Sequence, residues 1–375
     1  MTSQLLGVEV PTGAVVVSRS TLPRVILGSL AVGVLTVGAV LPMFASAATT
    51  SLLVNVFILM TMATMWNLLA GYAGMVSIGQ QAFIGLGAYG VVVFASGGVG
   101  AFTSVPLAAI AVAVLALPIS LLVFRLRGGY FAIATWVVAN TAQLVISAIP
   151  SLGGGTGTGV SGLIAIAPTT FNHRTYWVAF AVVALALAGA YGLLRSRLGL
   201  VLAAMRDNET SARSSGARIM ATRRLVFVIS ALGCAAAGAV LAISQLTVQP
   251  SAVFSVNWSA EMIFATLIGG MGTIEGPIVG TVVFFVLQQN LSQFGAWYLI
   301  IFGAVAVLVA IYAPQGIWGL LRNATRLELF PVSYTLRGAP RTFPDPGPDL
   351  VGAVGRPVPG EPRRGRTGTP SPPGG

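Results

Sequence analysis

Long apolar runs, separated by short polar or glycine-rich breaks, dominate the chain. Runs at approximately 24–45, 51–72, 77–96, 104–124, 128–149, 176–194, 225–249 and 297–314 approach the roughly 20 residues that a helix needs to cross a bilayer, and each predicts a membrane helix. The stretch 258–293 is too long for one ordinary span, and Gly269-Gly270-Met271-Gly272-Thr273-Ile274-Glu275-Gly276-Pro277 in its middle should break a helix. It divides into a short segment 258–271 and a second span 277–293. The pattern predicts an all-α, polytopic integral membrane protein of about ten transmembrane helices.

Arginine placement orients these spans, because cytoplasmic loops collect positive charge. With Arg19 and Arg24 inside, ten crossings place Arg125, Arg127, the whole 195–224 loop and the tail from Arg322 on the inner side, leaving only Arg174 outside. The expected organisation is a cytoplasmic segment 1–23, a transmembrane domain 24–321 with a cytoplasmic loop 195–224, and a cytoplasmic tail 322–375. Residues 331–375 hold 11 of the 21 Pro, together with six Arg, without apolar periodicity. That composition predicts disorder, with solvent favoured over anionic lipid headgroups as its surroundings. Residues 25–47 also resemble a signal peptide, with Ala45-Ser46-Ala47 as a small-residue cleavage site. The run is longer than the usual core of about 15 residues, which favours a retained first helix.

Composition narrows the chemistry. Of 375 residues, 55% are hydrophobic and 8% charged, against about 25% charged in soluble domains, so a water-soluble enzyme is excluded. All 20 basic residues are Arg. Without Lys the chain has neither a Walker A lysine nor a Schiff-base nucleophile. One His (His173) and one Cys (Cys234) cannot build a His/Cys zinc site or a disulfide. Cys234, inside the run GCAAAG, reads as a small packing residue. The net charge of +11 belongs to the loops and the tail and does not indicate a nucleic-acid partner. No catalytic or metal-ligating constellation is visible.

Gly157-Thr158-Gly159-Val160-Ser161-Gly162 matches GxGxxG, but no strand precedes it in the pattern and no acidic residue follows about 20 positions on, so it reads as an external loop. Intramembrane ionisable groups are the usual functional suspects. Here they reduce to Glu261 within 258–271 and Glu275 at the following break, too few for autonomous ion coupling; Glu261 reads first as an acceptor for a neighbouring helix end. Ser77, Gln80, Gln81, Asn140, Gln143 and Glu261 are candidates for lining a polar path, with helix-to-helix hydrogen bonding as the plainer role for each. Asn140 and Gln143, three residues apart, share a helix face. The 195–224 loop carries seven Arg against Asp207 and Glu209, is long enough to dock a partner, and could form a short helix from Arg206 ended by Gly216.

Four segments together resemble one family, the membrane-spanning permease subunits of branched-chain amino-acid ABC importers of the Liv type. They are NLLAGYAGMVSIGQQAFIGLGAYG (67–90), GGYFAIAT (128–135), SRLGLVLAAMRDNETSARSSGARIMATRRLVFVISA (196–231), and SAEMIFATLIGGMGTIEGPIVG (259–280) followed by APQGIWGL (313–320). The resemblance covers roughly residues 50–320 and implies an inner-membrane subunit of a bacterial cell, with both termini cytoplasmic. It implies a homologous permease partner, two cytoplasmic ATP-binding subunits that bind ATP and Mg, and an extracytoplasmic solute-binding protein. It implies no cofactor in this chain itself. On this resemblance Arg206, Asp207, Glu209, Arg213, Gly216 and Arg218 belong to the loop that docks on an ATPase, with Gly216 as the loop glycine. Ser211-Ala212-Arg213 departs from the Glu-Ala-Ala start of such loops. LAGYAGMVSIGQ (69–80) and LIGGMGTIEGP (267–277) look weakly alike, as an internal repeat would. The competing reading is a self-sufficient secondary carrier or channel, for which Glu261 is the one buried titratable suspect.

Overall fold

The computed structural model describes residues 16–18, 38, 40–126, 128–163, 166–207, 209–214, 216–291, 297–312, 316–325 and 335–337. All the described helices lie in one body. They are α1 (Ala47–Asn67, prolonged by a π-helical turn Leu68–Tyr72), α2 (Gln81–Ser96), α3 (Ser104–Val123), α4 (Gly129–Ser147), α5 (Pro168–Arg195) and α6 (Arg197–Asp207). There follow α7 (Glu209–Ser214), α8 (Ile219–Gln245), α9 (Pro250–Val253), α10 (Val256–Gly269), α11 (Glu275–Leu291), α12 (Trp297–Tyr312) and α13 (Gly316–Thr325). A second body contains an antiparallel pairing of Val16–Ser18 with Thr335–Arg337.

Six helices among the described residues are long and apolar enough to cross a membrane: Ala47–Tyr72, Ser104–Val123, Gly129–Ser147, Pro168–Arg195, Ile219–Gln245 and Pro250–Gly269. Gln81–Ser96 is apolar but shorter. The expected total of ten is not reached among them, and the expected first span 24–45 falls largely outside the described residues, as does the tail beyond 325 apart from 335–337. The chain is also not purely helical. Besides the pairing above, Thr158–Gly159 pairs with Thr247–Val248, so the GxGxxG stretch is held in a two-residue ribbon at the end of α8.

Burial ranks the spans. In α8, 83% of the most apolar window is buried and in α1 67%, against 22% in α4 and 28% in α5. Small residues make α8 suitable for the centre, since bilayer helices gain their association from close packing rather than from a solvent-driven hydrophobic effect. A Cβ at Gly87 would overlap the Ala235 carbonyl, and a Cβ at Gly238 would overlap the Ile84 carbonyl, so α2 and α8 cross with their backbones nearly touching. Cys234 sits fully buried in this crossing region as a packing residue. Along α1, buried Thr61 and Thr64 satisfy their hydroxyls by donating to the Phe57 and Met60 carbonyls at 2.8 and 2.7 Å, so the helix carries polar groups without exposing them.

Phe57 of α1 packs edge-on against Tyr176 of α5, with ring centroids 5.5 Å apart. Near the other end of the bundle, α1 finishes at Tyr72 and α5 leads directly into α6 and α7. Met205, Ala212 and Ile219 form a separate small core there, flanked by Val201 and Ala217. The expected helix from Arg206 is instead two helices: Arg206 closes α6, while α7 carries Arg213 and precedes Gly216, which has φ +80° as a helix-ending glycine does.

Candidate functional site

The expected span 77–96 needs correction. Helix begins only at Gln81; residues 73–80 are not helical and follow the π-helical end of α1. Gly74 at φ +68° turns the chain, and Gly79 lets it pass against the Thr135 backbone of α4, where a Cβ would overlap the carbonyl. Non-helical backbone in a bilayer is tolerated only when protein groups satisfy it. Trp66 Nε1 donates to the Ser77 carbonyl at 2.9 Å, Ser259 Oγ donates to the Ile78 carbonyl at 3.1 Å, and the Ile78 and Gly79 amides donate to Thr135 Oγ1 and Ser77 Oγ, each at 3.3 Å. Ser259 also hydrogen-bonds the side chain of Gln81. Gln80 is fully buried, and neither of its amide atoms has a hydrogen-bond partner among the described residues.

A second break lies between α10 and α11. Gly270 and Gly272 have φ +128° and +80°, and α11 starts at Glu275, a buried acid at a helix amino end, where the dipole favours it. Asn67 clamps this break. Its Oδ1 accepts from the Gly272 amide at 2.8 Å and its Nδ2 donates to the Thr273 carbonyl at 2.7 Å. Glycine is required on both sides: a Cβ at Gly71 would overlap Asn67 Oδ1 and stand 2.6 Å from the Gly272 nitrogen. Gly316, opening α13, packs so closely on Gly270 that a Cβ there would overlap its backbone. The two glycine-rich segments that look alike in sequence therefore meet in space. Thr266 Oγ1 adds a 3.3 Å bond to the Ala63 carbonyl of α1, and Ser230 Oγ of α8 donates to Met65 O at 2.9 Å.

Of the path candidates, Ser77, Gln80 and Gln81 come together at the start of α2, with Ser259 of α10 beside them. Asn140 and Gln143 do not join them: Asn140 is exposed on α4 and turns its Nδ2 back to the Trp136 carbonyl at 3.0 Å. Glu261 is half-buried on α10, and no neighbouring helix end is hydrogen-bonded to it among the described residues. Among the loop residues Arg206, Arg213, Gly216 and Arg218 are exposed; Asp207 and Glu209 lie at described backbone positions. Sequence reasoning missed Ser259 and Thr135 as site residues, and offered Asn67 only among the amides able to hydrogen-bond between helices or line a polar path. Asn67 carried a signal, as an amide four residues before Gly71 at the first glycine break; Ser259 and Thr135 carried none.

Among the described residues, no group of three His, Cys, Asp or Glu could hold a metal ion. An apolar cavity of about 510 Å³ opens between α3, α5 and α8, lined by Ile110, Trp177, Leu185, Gly189, Gly233 and Met65 among others. It has no ionisable lining residue and lies apart from the polar cluster around Gln81.

Residues 48–310 match the family described as "Branched-chain amino acid transport system / permease component". The chain is 26% identical over 327 residues to the high-affinity branched-chain amino acid transport system permease protein LivM of Escherichia coli strain K12, covering 79% of this chain and 76% of that protein. To the protein of the same name from Salmonella typhimurium strain LT2 it is 27% identical, covering 70% and 68%. The ribose import permease protein RbsC of Escherichia coli strain K12 is 28% identical over 131 residues, 33% of this chain and 41% of that protein. No solved structure gives a significant match.

Proposed function

The chain belongs to the family of branched-chain amino acid transport permease components, and from that premise we propose that it is the permease subunit of an ATP-binding-cassette importer for branched-chain or related small amino acids. It is a multi-pass membrane protein. The observation that carries the finer reading is the α6–α7 loop. It folds on its own small core of Met205, Ala212 and Ile219 and leaves Arg213, Gly216 and Arg218 exposed, while Arg206 turns back toward the break between α10 and α11. A preformed basic knob of this kind suits a docking partner, because little ordering entropy remains to be lost on binding. The partner is an ATP-binding subunit, two copies of which bind ATP and Mg and hydrolyse ATP. This chain has no Lys with which to hold a nucleotide phosphate in a Walker A site.

A homologous permease completes the path, and an extracytoplasmic solute-binding protein delivers the solute. The positive charge of the loop supports a cytoplasmic side for it in a bacterial inner membrane, with both termini on that side. The antiparallel pairing of residues 16–18 with 335–337 supports a common side for the two ends. The buried polar cluster of Ser77, Gln80, Gln81 and Ser259 at a helix discontinuity supports a place beside the solute path, since solute sites in transporters are typically built at discontinuous helices.

Mild-detergent purification of the tagged chain from its native membrane, with mass spectrometry of what accompanies it, tests this reading. A second permease and Walker-containing subunits are expected. Recovery of this chain alone, active in liposomes under an ion gradient, would move the assignment to a secondary carrier with Glu261 as the first residue to replace.

A further inference from the structure

Arg206, in the last turn of α6, lies against the break between α10 and α11. A Cβ on Gly272 would stand 2.6 Å from an Arg206 guanidinium nitrogen and 3.3 Å from its central carbon, and 3.3 Å from the Gly71 carbonyl. The guanidinium therefore rests on the bare face of a glycine whose amide is already given to Asn67. Two helices end at this point: the π-helical turn after α1 at Tyr72, and α10 at Gly269. Their carbonyl ends carry partial negative charge, for which a cation is the natural complement. Glu275, the acid that opens α11, follows Gly272 by three residues.

We propose that Arg206 is the positioning residue that couples the docking loop to the paired glycine breaks, so that displacement of α6 moves the Gly272 junction and, through it, the unwound segment ahead of α2. This rests on the reading of the loop as an ATPase-docking element. The mechanical continuity is explicit. Gly272 is hydrogen-bonded to Asn67 on α1, α10 is hydrogen-bonded through Ser259 to Ile78 and Gln81, and the latter two flank the buried Gln80. Arginine suits the task because its guanidinium presents several donors in a fixed, planar fork, whereas a lysine ammonium offers only a point charge.

The test uses the whole transporter reconstituted in liposomes, with leucine as the probe solute, and reads uptake per ATP hydrolysed. Arg206→Ala is expected to retain its ATP-binding subunits and their hydrolysis while the ratio falls about tenfold. Arg206→Lys should lower it about threefold. An unchanged ratio in Arg206→Ala overturns the proposal, as does loss of the ATP-binding subunits from an inserted variant, which would make Arg206 a docking contact. If Arg206→Ala does not insert, Arg206→Lys decides, and a wild-type ratio overturns the proposal. A wild-type chain that assembles with no ATP-hydrolysing subunit would overturn the functional reading itself. A coupled wild-type complex whose ratio ignores position 206 overturns only the role of Arg206.

Discussion

Asn67 and Thr273 lie 206 positions apart and share a 2.7 Å hydrogen bond from the Asn67 carboxamide to the Thr273 carbonyl. The other end of the same carboxamide takes the Gly272 amide. One side chain thus ties the end of the first described span to the break that starts α11, and both glycine-rich segments are fixed by it.

Asn67→Ala leaves the Gly272 amide and the Thr273 carbonyl without these partners. Both groups are only partly buried, so each one orphaned in this way costs about 1 kcal/mol, the low end of the range for buried groups. Thermal unfolding in detergent should show the loss, with Asn67→Asp milder because it can still accept from Gly272. Equal stability of Asn67→Ala and wild type would mean that the two groups find other partners.

Gly87→Val and Gly238→Leu push side chains into backbone carbonyls across the α2–α8 crossing. Overpacking costs about 1–3 kcal/mol where neighbours can shift, and backbone gives least. Gly192→Ala on α5 meets nothing within 4 Å and should be neutral or slightly stabilising. Yields of folded protein by size-exclusion chromatography separate the two cases; similar losses at all three positions would contradict the crossing geometry.

Gly216 has φ +80° and open space where a Cβ would stand. Gly216→Val is therefore penalised by backbone strain of about 1–2 kcal/mol, not by a clash, and the loop should distort while the spans remain intact. Normal membrane insertion with reduced recovery of ATP-binding subunits is the expected result. Full recovery would remove Gly216 from the docking element.

Gln80→Leu replaces a buried amide lacking partners with an apolar side chain, a change that is neutral or stabilising by about 1 kcal/mol when the amide serves only packing. Stability should hold or rise while solute uptake falls, because the polar cluster ahead of α2 loses a member. Unchanged uptake would place Gln80 outside the solute path.

Much of the helical order was legible because apolar runs of bilayer length have few alternatives to helix. The broken start of α2 was not. Ser77-Ile78-Gly79-Gln80 abuts the following apolar run without a residue that forbids helix, and Trp66, Thr135 and Ser259, from other segments, supply bonds that make a non-helical path there tolerable. The glycine breaks were visible as breaks, and their likeness was visible too. Their contact depends on Asn67, an amide indistinguishable in sequence from those at 140 and 143, of which Asn140 bonds only within its own helix. Arg206 was legible as part of the loop, but its seat on Gly272 needed the fold, because charge patterning reports which side of the membrane a residue occupies and not what it touches.

Cys234 is the only cysteine in the chain and is fully buried at the centre of the bundle. Its full burial shields it from water-soluble maleimides in the folded protein. The native sequence is in practice its own thiol-silent background. A cysteine introduced at an exposed position such as Arg218 or Tyr130 takes a spin label or fluorophore alone, and distance changes during turnover can be followed without first engineering the core.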